Sequence, residues 1–485
     1  MSFVIGCDIG TQSTKGILVA DDGRVQAVAS ARHRVRFQAS GWAEQDQIEW
    51  IRALAEVLAE LTAQATGPVS HIGIAAQVDG VAATDQDLTP LSPAIIWMDR
   101  RAASFADVIE QKVGADRVFA VTGLNCDSSH GAPKMMWLLD RLDRRPAHLL
   151  PPASVATAWL TGEIAQDHAN ASSSMLFDVT GRDWSEELLE ACGIEPELLP
   201  RVVDSISVIG QVLPEVAAEV GLGSSCQVIA GTGDDHAAAV GAGAARPGVV
   251  ADITGTAEPI GTAADRPVFD AERLVETHAH ATPGIWFIEN PGFVSGGSVM
   301  WVAQLLGIDQ PAVFELAAEA PPGSKDLVFI PALSGSTAPR WNERARGSFT
   351  GASMDHGRPE WCRAVLEGCT FALRDSFDRL TELGLANSLL HVTGGGARSE
   401  LWLQMKADVI GREVRVVKGE SAALGASCLA AVAAGWFSDV AAAADALAAA
   451  SDRTYQPDPT RAPAYDEAYH TYRAVFDALD PTYDR

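Results

Sequence analysis

The residues best able to do chemistry in this 485-residue chain open it: Val4-Ile5-Gly6-Cys7-Asp8-Ile9-Gly10-Thr11-Gln12-Ser13-Thr14-Lys15. Two apolar strands flank a turn that offers backbone amides, the hydroxyls of Thr11, Ser13 and Thr14, and one carboxylate. Glycine permits the tight turn, and successive N–H groups form a concavity suited to nucleotide phosphates. Asp8 would then stand where a phosphate-bound magnesium needs an oxygen ligand. The same letters also spell an ordinary hairpin with a solvated aspartate.

A second candidate is Gly231-Thr232-Gly233-Asp234-Asp235-His236, where a strand runs into a helix start. Asp234 is a candidate base for an acceptor hydroxyl, with Asp235 capping the helix; a plain pair of caps is the competing reading. A third is Thr393-Gly394-Gly395-Gly396-Ala397-Arg398-Ser399, between an apolar strand and a helix over 400–410. Bare glycines there admit a purine or phosphate, although a glycine linker has the same composition.

These groups need a scaffold, and strand and helix signals alternate throughout, which indicates an α/β architecture. A hairpin is predicted over 4–19, a third strand over 24–35, and a helix over 46–62 with Ile48, Ile51, Leu54, Ala55, Leu58 and Leu61 on one face. The strand over 71–76 is of the buried type and ends in the polar Gln77 and Asp79. Residues 102–227 read as an elaboration within a simpler domain. A strand over 227–231 and a helix over 235–245 then return to the core pattern.

Arg246-Pro247-Gly248 breaks that helix and opens a second hairpin, Val249 to Thr256, which echoes the first with an aspartate and a Gly-Thr turn. Two domains are therefore expected, 1–245 and 246–485, with a site in the cleft between them. The alanine-rich stretch 439–450 is expected as a surface helix and 463–479 as a last amphipathic one.

A net charge of -27 disfavours nucleic acid or an anionic membrane as the main partner. It leaves room for a nucleotide held locally by amides and magnesium. No apolar run approaches the ~20 residues of a membrane helix. The first residues lack a basic flank and signal-peptide core, and the seven cysteines are scattered, which together predict a cytoplasmic protein with buried thiols.

In these motifs the chain resembles the FGGY family of carbohydrate kinases, within the actin, hexokinase and Hsp70 superfamily. The carriers are Asp8-Ile9-Gly10-Thr11, Trp97-Met98-Asp99-Arg100-Arg101, Ala132-Pro133-Lys134, Gly233-Asp234-Asp235, Gly255-Thr256, Arg346-Gly347-Ser348-Phe349-Thr350-Gly351, Gly394 to Ser399, and Ala423-Leu424-Gly425-Ala426. The resemblance implies two RNase H-like domains closing over a cleft, with ATP and magnesium as cofactors and a possible homodimer. It implies that Asp8 orients magnesium through water and that Thr11, Gln12, Ser13 and Lys15 meet the phosphates. Gly255 and Thr256 would form the second phosphate turn, and Gly296, Gly395, Gly396, Arg398 and Ser399 would line the adenosine pocket. Asp234 falls on the family's catalytic base.

Substrate identity is expected in the first domain, at Gln77, Val78, Asp79, Trp97 and Asp99, together with Asp235. Polar strand ends suit sugar hydroxyls and an indole face suits a sugar's C–H face. The layout is most similar to the family's xylulokinase branch, which implies D-xylulose as substrate and D-xylulose 5-phosphate as product. That branch usually has Gln-Met-His-Gly where this chain has Gln77-Val78-Asp79-Gly80, and Asp-Asn where it has Asp234-Asp235. Both departures fall on substrate-contacting positions and keep another ketose or a polyol, such as erythritol, a pentitol, L-xylulose or ribulose, in view. Extra carboxylates disfavour a sugar acid. Glu258, beside the second turn, either points away from phosphate or helps to bind metal. Readings of another class are an actin- or Hsp70-like nucleotide switch and a non-catalytic sugar-binding homologue.

Overall fold

The computed structural model describes residues 1–38, 41–385, 389–448 and 450–483. Two seven-stranded sheets organise it. In the first, the strands run in the order Val208–Gln211, Gln227–Ile229, Val69–Ala76, Phe3–Ile9, Ser13–Ala20, Val25–Arg32, with Thr232–Gly233 also on Val69–Ala76. The opening hairpin is antiparallel and sets Asp8 opposite Lys15, while Phe3–Ile9 and Val69–Ala76 are parallel. Both strands are largely covered on two faces, which is why they read as mostly apolar runs.

The helix Gln47–Ala63 covers one face. Asp46 caps it by accepting from the Ile48 amide at 3.0 Å. Its buried stripe is Trp50, Leu54, Val57, Leu58 and Leu61; Ile48, expected on that stripe, is 64% exposed and Trp50 takes its place. Each fully buried side chain of this size contributes about 1.5–3 kcal/mol.

The second sheet repeats the plan. Its order is Glu276–Ala279, Trp286–Asn290, Ile260–Ala264, Val250–Thr254, Leu389–Gly394, Glu413–Val417, Ala450–Tyr455. Val250–Thr254 pairs antiparallel with Ile260–Ala264 and parallel with Leu389–Gly394, as Phe3–Ile9 pairs with its own neighbours. Helices Arg358–Glu382, Glu400–Ile410 and Ala462–Tyr483 pack on it around Phe371, Phe377, Trp402 and Tyr472. Within 102–227, helices Ala103–Val113, Ala115–Thr122 and Gly131–Arg141 build a separate small core with Val81 and Ile95.

The halves meet along backbone. Helix Ser421–Ala433 of the second half lies on the first sheet and beside helix Asp234–Gly241. A Cβ at Gly425 would lie 1.8 Å from the Ala237 carbonyl oxygen, and one at Gly6 2.2 Å from that of Ala423, so only glycine fits either place. Helix Val440–Leu447 buries Val440, Ala443, Ala444 and Leu447 against this seam, correcting its expected surface role; Ala449, at the end of that expected helix, lies outside the described residues. All seven cysteines are free and buried or half-buried. Among the described residues, no helix is long and apolar enough to cross a membrane.

Candidate active site

The parallel strands of the first sheet end side by side, and the Gln77 amide donates to the Ile9 carbonyl at 2.9 Å. Thr232 and Gly233 pair with Ala75 and Ala76, which brings Asp8, Asp79, Asp234 and Asp235 to one edge. Ligands of open α/β sheets bind at this carboxyl end.

Asp8 is half-buried, and its Oδ1 has no hydrogen-bond partner. Burial, then the charge of Asp234, holds its carboxyl well above the usual carboxylate range. A buried carboxylate oxygen left unpaired fits a cation carried in with a nucleotide.

Asp234 and Asp235 form the first turn of their helix, with Gly233 at the cap position. This corrects the expectation that Asp235 is the cap. Asp234 Oδ1 accepts from the Asp235 amide at 3.0 Å, and Asp235 Oδ1 from the His236 amide at 2.7 Å. Burial, then the charge of Asp235, pushes Asp234 up to about 7. Burial, with the nearby charge of Asp79, brings Asp235 to about 7 as well. A carboxylate tuned to that value suits proton transfer from a hydroxyl near neutral pH.

In the opening turn the Gly10 amide donates to the Ser13 carbonyl at 3.1 Å. Thr11 Oγ1 accepts from the Trp97 indole at 3.0 Å, so Trp97 braces this turn. Gln12 is exposed and Ser13 half-buried, whereas Thr14 is wholly buried and takes no part in the turn's open face. Lys15 pairs with Glu420 of the second half at 2.7 Å, both partly exposed.

At the end of strand Val69–Ala76, Gln77 donates to Gln45 Oε1 at 2.6 Å and leaves its own Oε1 unpartnered. Val78 fills the space that Gly233 leaves, since its Cγ1 would lie 2.4 Å from a Cβ added there. Asp79 adopts the left-handed region at φ 58°, held by buried Lys134, whose Nζ donates to the Asp79 carbonyl at 2.6 Å and to that of Ser129. Asp99 corrects the expectation of direct sugar contact. It is fully buried, and both its oxygens are committed to the Ala43 amide at 2.6 Å and to Arg101. Arg101 in turn lies 3.7 Å over the Trp42 ring, so Asp99 shapes the wall rather than its surface.

In the second half, Val250–Thr254 and Leu389–Gly394 also end together, with Thr254 opposite Gly394. Ile253 packs with Ala75 and Ala237, which brings this edge against the first. Helix Gly296–Leu306 starts on the Gly255-Thr256 turn: the amides of Gly296 and Gly297 donate to the Gly255 and Thr256 carbonyls at 3.1 and 3.0 Å. Gly394, at φ 87°, and Gly396 press on Thr254, while Gly395 and Arg398 are exposed. Ser399 caps helix Glu400–Ile410 by accepting from the Trp402 amide at 3.3 Å.

Glu258 accepts from Thr254 Oγ1 at 3.2 Å. It is wholly buried and paired with Lys406, which also holds Asp252 at 2.5 Å. Sequence reasoning missed Lys406, a lysine on a buried helix stripe, and it missed Lys134 inside a motif it had singled out. It also missed His130, Glu276, His278 and Glu289, which carried no recognisable spacing.

This paired-sheet topology, with a turn after the first strand of each sheet, defines an actin-like ATPase fold. Sequence models of the N-terminal and C-terminal domains of the FGGY family of carbohydrate kinases match residues 3–241 and 250–434. The chain belongs to that family and is an ATP-dependent carbohydrate kinase. It is 32% identical to a xylulose kinase of Escherichia coli (strain K12) over 484 residues, covering 98% of this chain and 99% of the other. It is 30% identical to a gluconokinase of Bacillus subtilis (strain 168), covering 98% and 95%. The crystal structure of a ligand-bound xylulose kinase from Lactobacillus acidophilus superposes with a TM-score of 0.93 at 27% identity, covering 100% and 99%.

Proposed function

We propose that this kinase phosphorylates a pentulose, D-xylulose foremost, with another ketose or a polyol as the second reading on account of Asp79 and Asp235. The observation that carries the transfer to a hydroxyl is Asp234, half-buried at the strand ends with a carboxyl raised to about 7, and the likeness to xylulose kinases supports the choice of pentulose. It takes the proton of the acceptor hydroxyl as that oxygen bonds to the γ-phosphorus and ADP leaves. Thr11, Gln12 and Ser13 hold phosphate from one side and Gly255 with Thr256 from the other. Gly395, Arg398 and the start of the Gly296 helix border the adenosine. Lys15 reaches phosphate by releasing Glu420.

Magnesium, bound with ATP, neutralises charge on the phosphates, and Asp8 with its unpartnered Oδ1 fits it through water. The acidic edge repels carboxylate and so disfavours gluconate, the substrate named for one close relative. Coupled ADP release over pentuloses, tetritols, pentitols, hexuloses and gluconate tests this. D-Xylulose or a single related ketose or polyol should stand out; gluconate as the best substrate, or a rate indifferent to every sugar, would defeat it.

A further inference from the structure

Beside Asp79 lies a group of buried polar side chains drawn from both halves. His130, 5% exposed, sits between Asp79 Oδ2 at 3.5 Å and Glu276 Oε1 at 3.7 Å, ion-pair distances at which neither ring nitrogen is hydrogen-bonded. Burial opposes its charge, but Asp79 and Glu276 outweigh that and hold the imidazole protonated well above its ordinary value. Glu276 is anchored in turn by the Asn125 amide at 2.7 Å. Behind Asp235, His278 Nε2 lies 3.2 Å from Glu289 Oε1, and the second Glu289 oxygen has no partner. Asp79 Oδ1 is also unpartnered. Buried polar atoms without partners call for a ligand that supplies them.

Glu276, His278 and Glu289 belong to the strands Glu276–Ala279 and Trp286–Asn290 of the second sheet, yet this hairpin is fastened to the first half. The Thr277 amide donates to the Gly123 carbonyl at 3.0 Å, the Ala279 amide to Ser172 Oγ at 3.0 Å, and the Trp286 indole to the Val179 carbonyl at 2.8 Å. These hydrogen bonds hold the hairpin against the first half beside Asp79.

We infer that the far end of the sugar pocket is a subsite built by both halves. His130 is its positioning residue: a buried positive charge between Asp79 and Glu276, it holds the Asp79 carboxylate electrostatically, beside Asp235, as an acceptor for neighbouring hydroxyls of a neutral, open-chain polyhydroxy substrate. This rests on the kinase reading and extends it, because substrate choice is then set by the second half as well as by the strand ends of the first.

The test uses the full chain, with Glu276→Gln and His130→Asn measured beside wild type on its best substrate and on that substrate's deoxy analogue lacking the hydroxyl farthest from the phosphorylated one. Loss of an oriented hydrogen bond should raise the sugar KM by about tenfold or more in both variants. The KM for ATP should stay within about twofold, and the preference for substrate over deoxy analogue should collapse. A purely structural role would move both KM values together and leave that preference intact, overturning the inference, as would unchanged sugar KM values. If His130→Asn does not fold, the near-isosteric Glu276→Gln decides alone. The ring nitrogens and carboxylate of His236, His278 and Glu289 lie within 4.8 Å of one another. Stoichiometric zinc binding by wild type, abolished in His278→Ala, would make this group a metal site and overturn the inference too. Absence of sugar-dependent ADP release in wild type would instead fail the kinase reading itself.

Discussion

At the residue scale, Asp234 and Asp235 face opposing demands from folding and from chemistry. Their carboxyls rise from the ordinary 3.8 to about 7 because burial disfavours charge, helped by Asp235 at Asp234 and by Asp79 at Asp235. A group that binds its proton more tightly when folded is neutral and costs nothing at low pH, and loses stability as pH climbs between those values. Asp234→Asn should therefore melt above wild type at pH 8 and level with it at pH 4, read by calorimetry. The same variant should lose about 10²–10⁴-fold in kcat, with ATP affinity by titration calorimetry essentially unchanged. Wild-type turnover should rise through a midpoint near pH 7 as Asp234 ionises; a flat profile over pH 6–8 would reassign the base.

At the element scale, the second sheet depends on a lysine that no motif announces. Lys406, wholly buried on helix Glu400–Ile410, neutralises Asp252 and Glu258 from 154 and 148 positions away. Lys406→Met would leave two buried carboxylates unpaired and should lower stability by about 3–5 kcal/mol in urea denaturation. Replacing all three residues by apolar ones should recover most of that loss.

The contrast between legible and hidden features has a physical cause here. Strand and helix periods marked the paired hairpins and the helices over 46–62 and 400–410, because those signals are local. The echo at Val250–Thr254 rested on a short turn yet reappears as a matching strand order. Lys406, and His130 between Asp79 and Glu276, act through space across long stretches of chain, so spacing held no trace of them. Asp99 misled because a polar residue after an apolar strand looks the same whether it meets a sugar or an arginine behind the wall. Helix Val440–Leu447 misled because alanine packs a seam as readily as it faces water.

At the scale of the whole molecule, the contact between the halves is made where glycine lets backbone touch backbone. Helices Ser421–Ala433 and Asp234–Gly241 meet through Gly425 and Ala237, and Gly6 and Gly73 admit the same helix onto the first sheet. Surfaces of small residues have few side chains to interlock, so small sliding of packed helices is the motion this seam permits. Gly425→Val would place carbon inside the Ala237 carbonyl and should cost about 1–3 kcal/mol or more in denaturation midpoints. Its activity should fall further than its stability, since the base sits on the partner helix. Normal kcat in a folded Gly425→Val variant would show that turnover does not require the seam to move.

A buried thiol turns that seam into its own reporter. Cys428 lies within helix Ser421–Ala433, packed at the seam and fully covered, and burial raises its thiol to about 12. It forms little thiolate while the halves are together, so a disulfide reagent meets it only during opening. The labelling rate of this cysteine, followed with and without nucleotide and sugar, is thus a clock for how often the two halves part and how firmly each substrate keeps them shut.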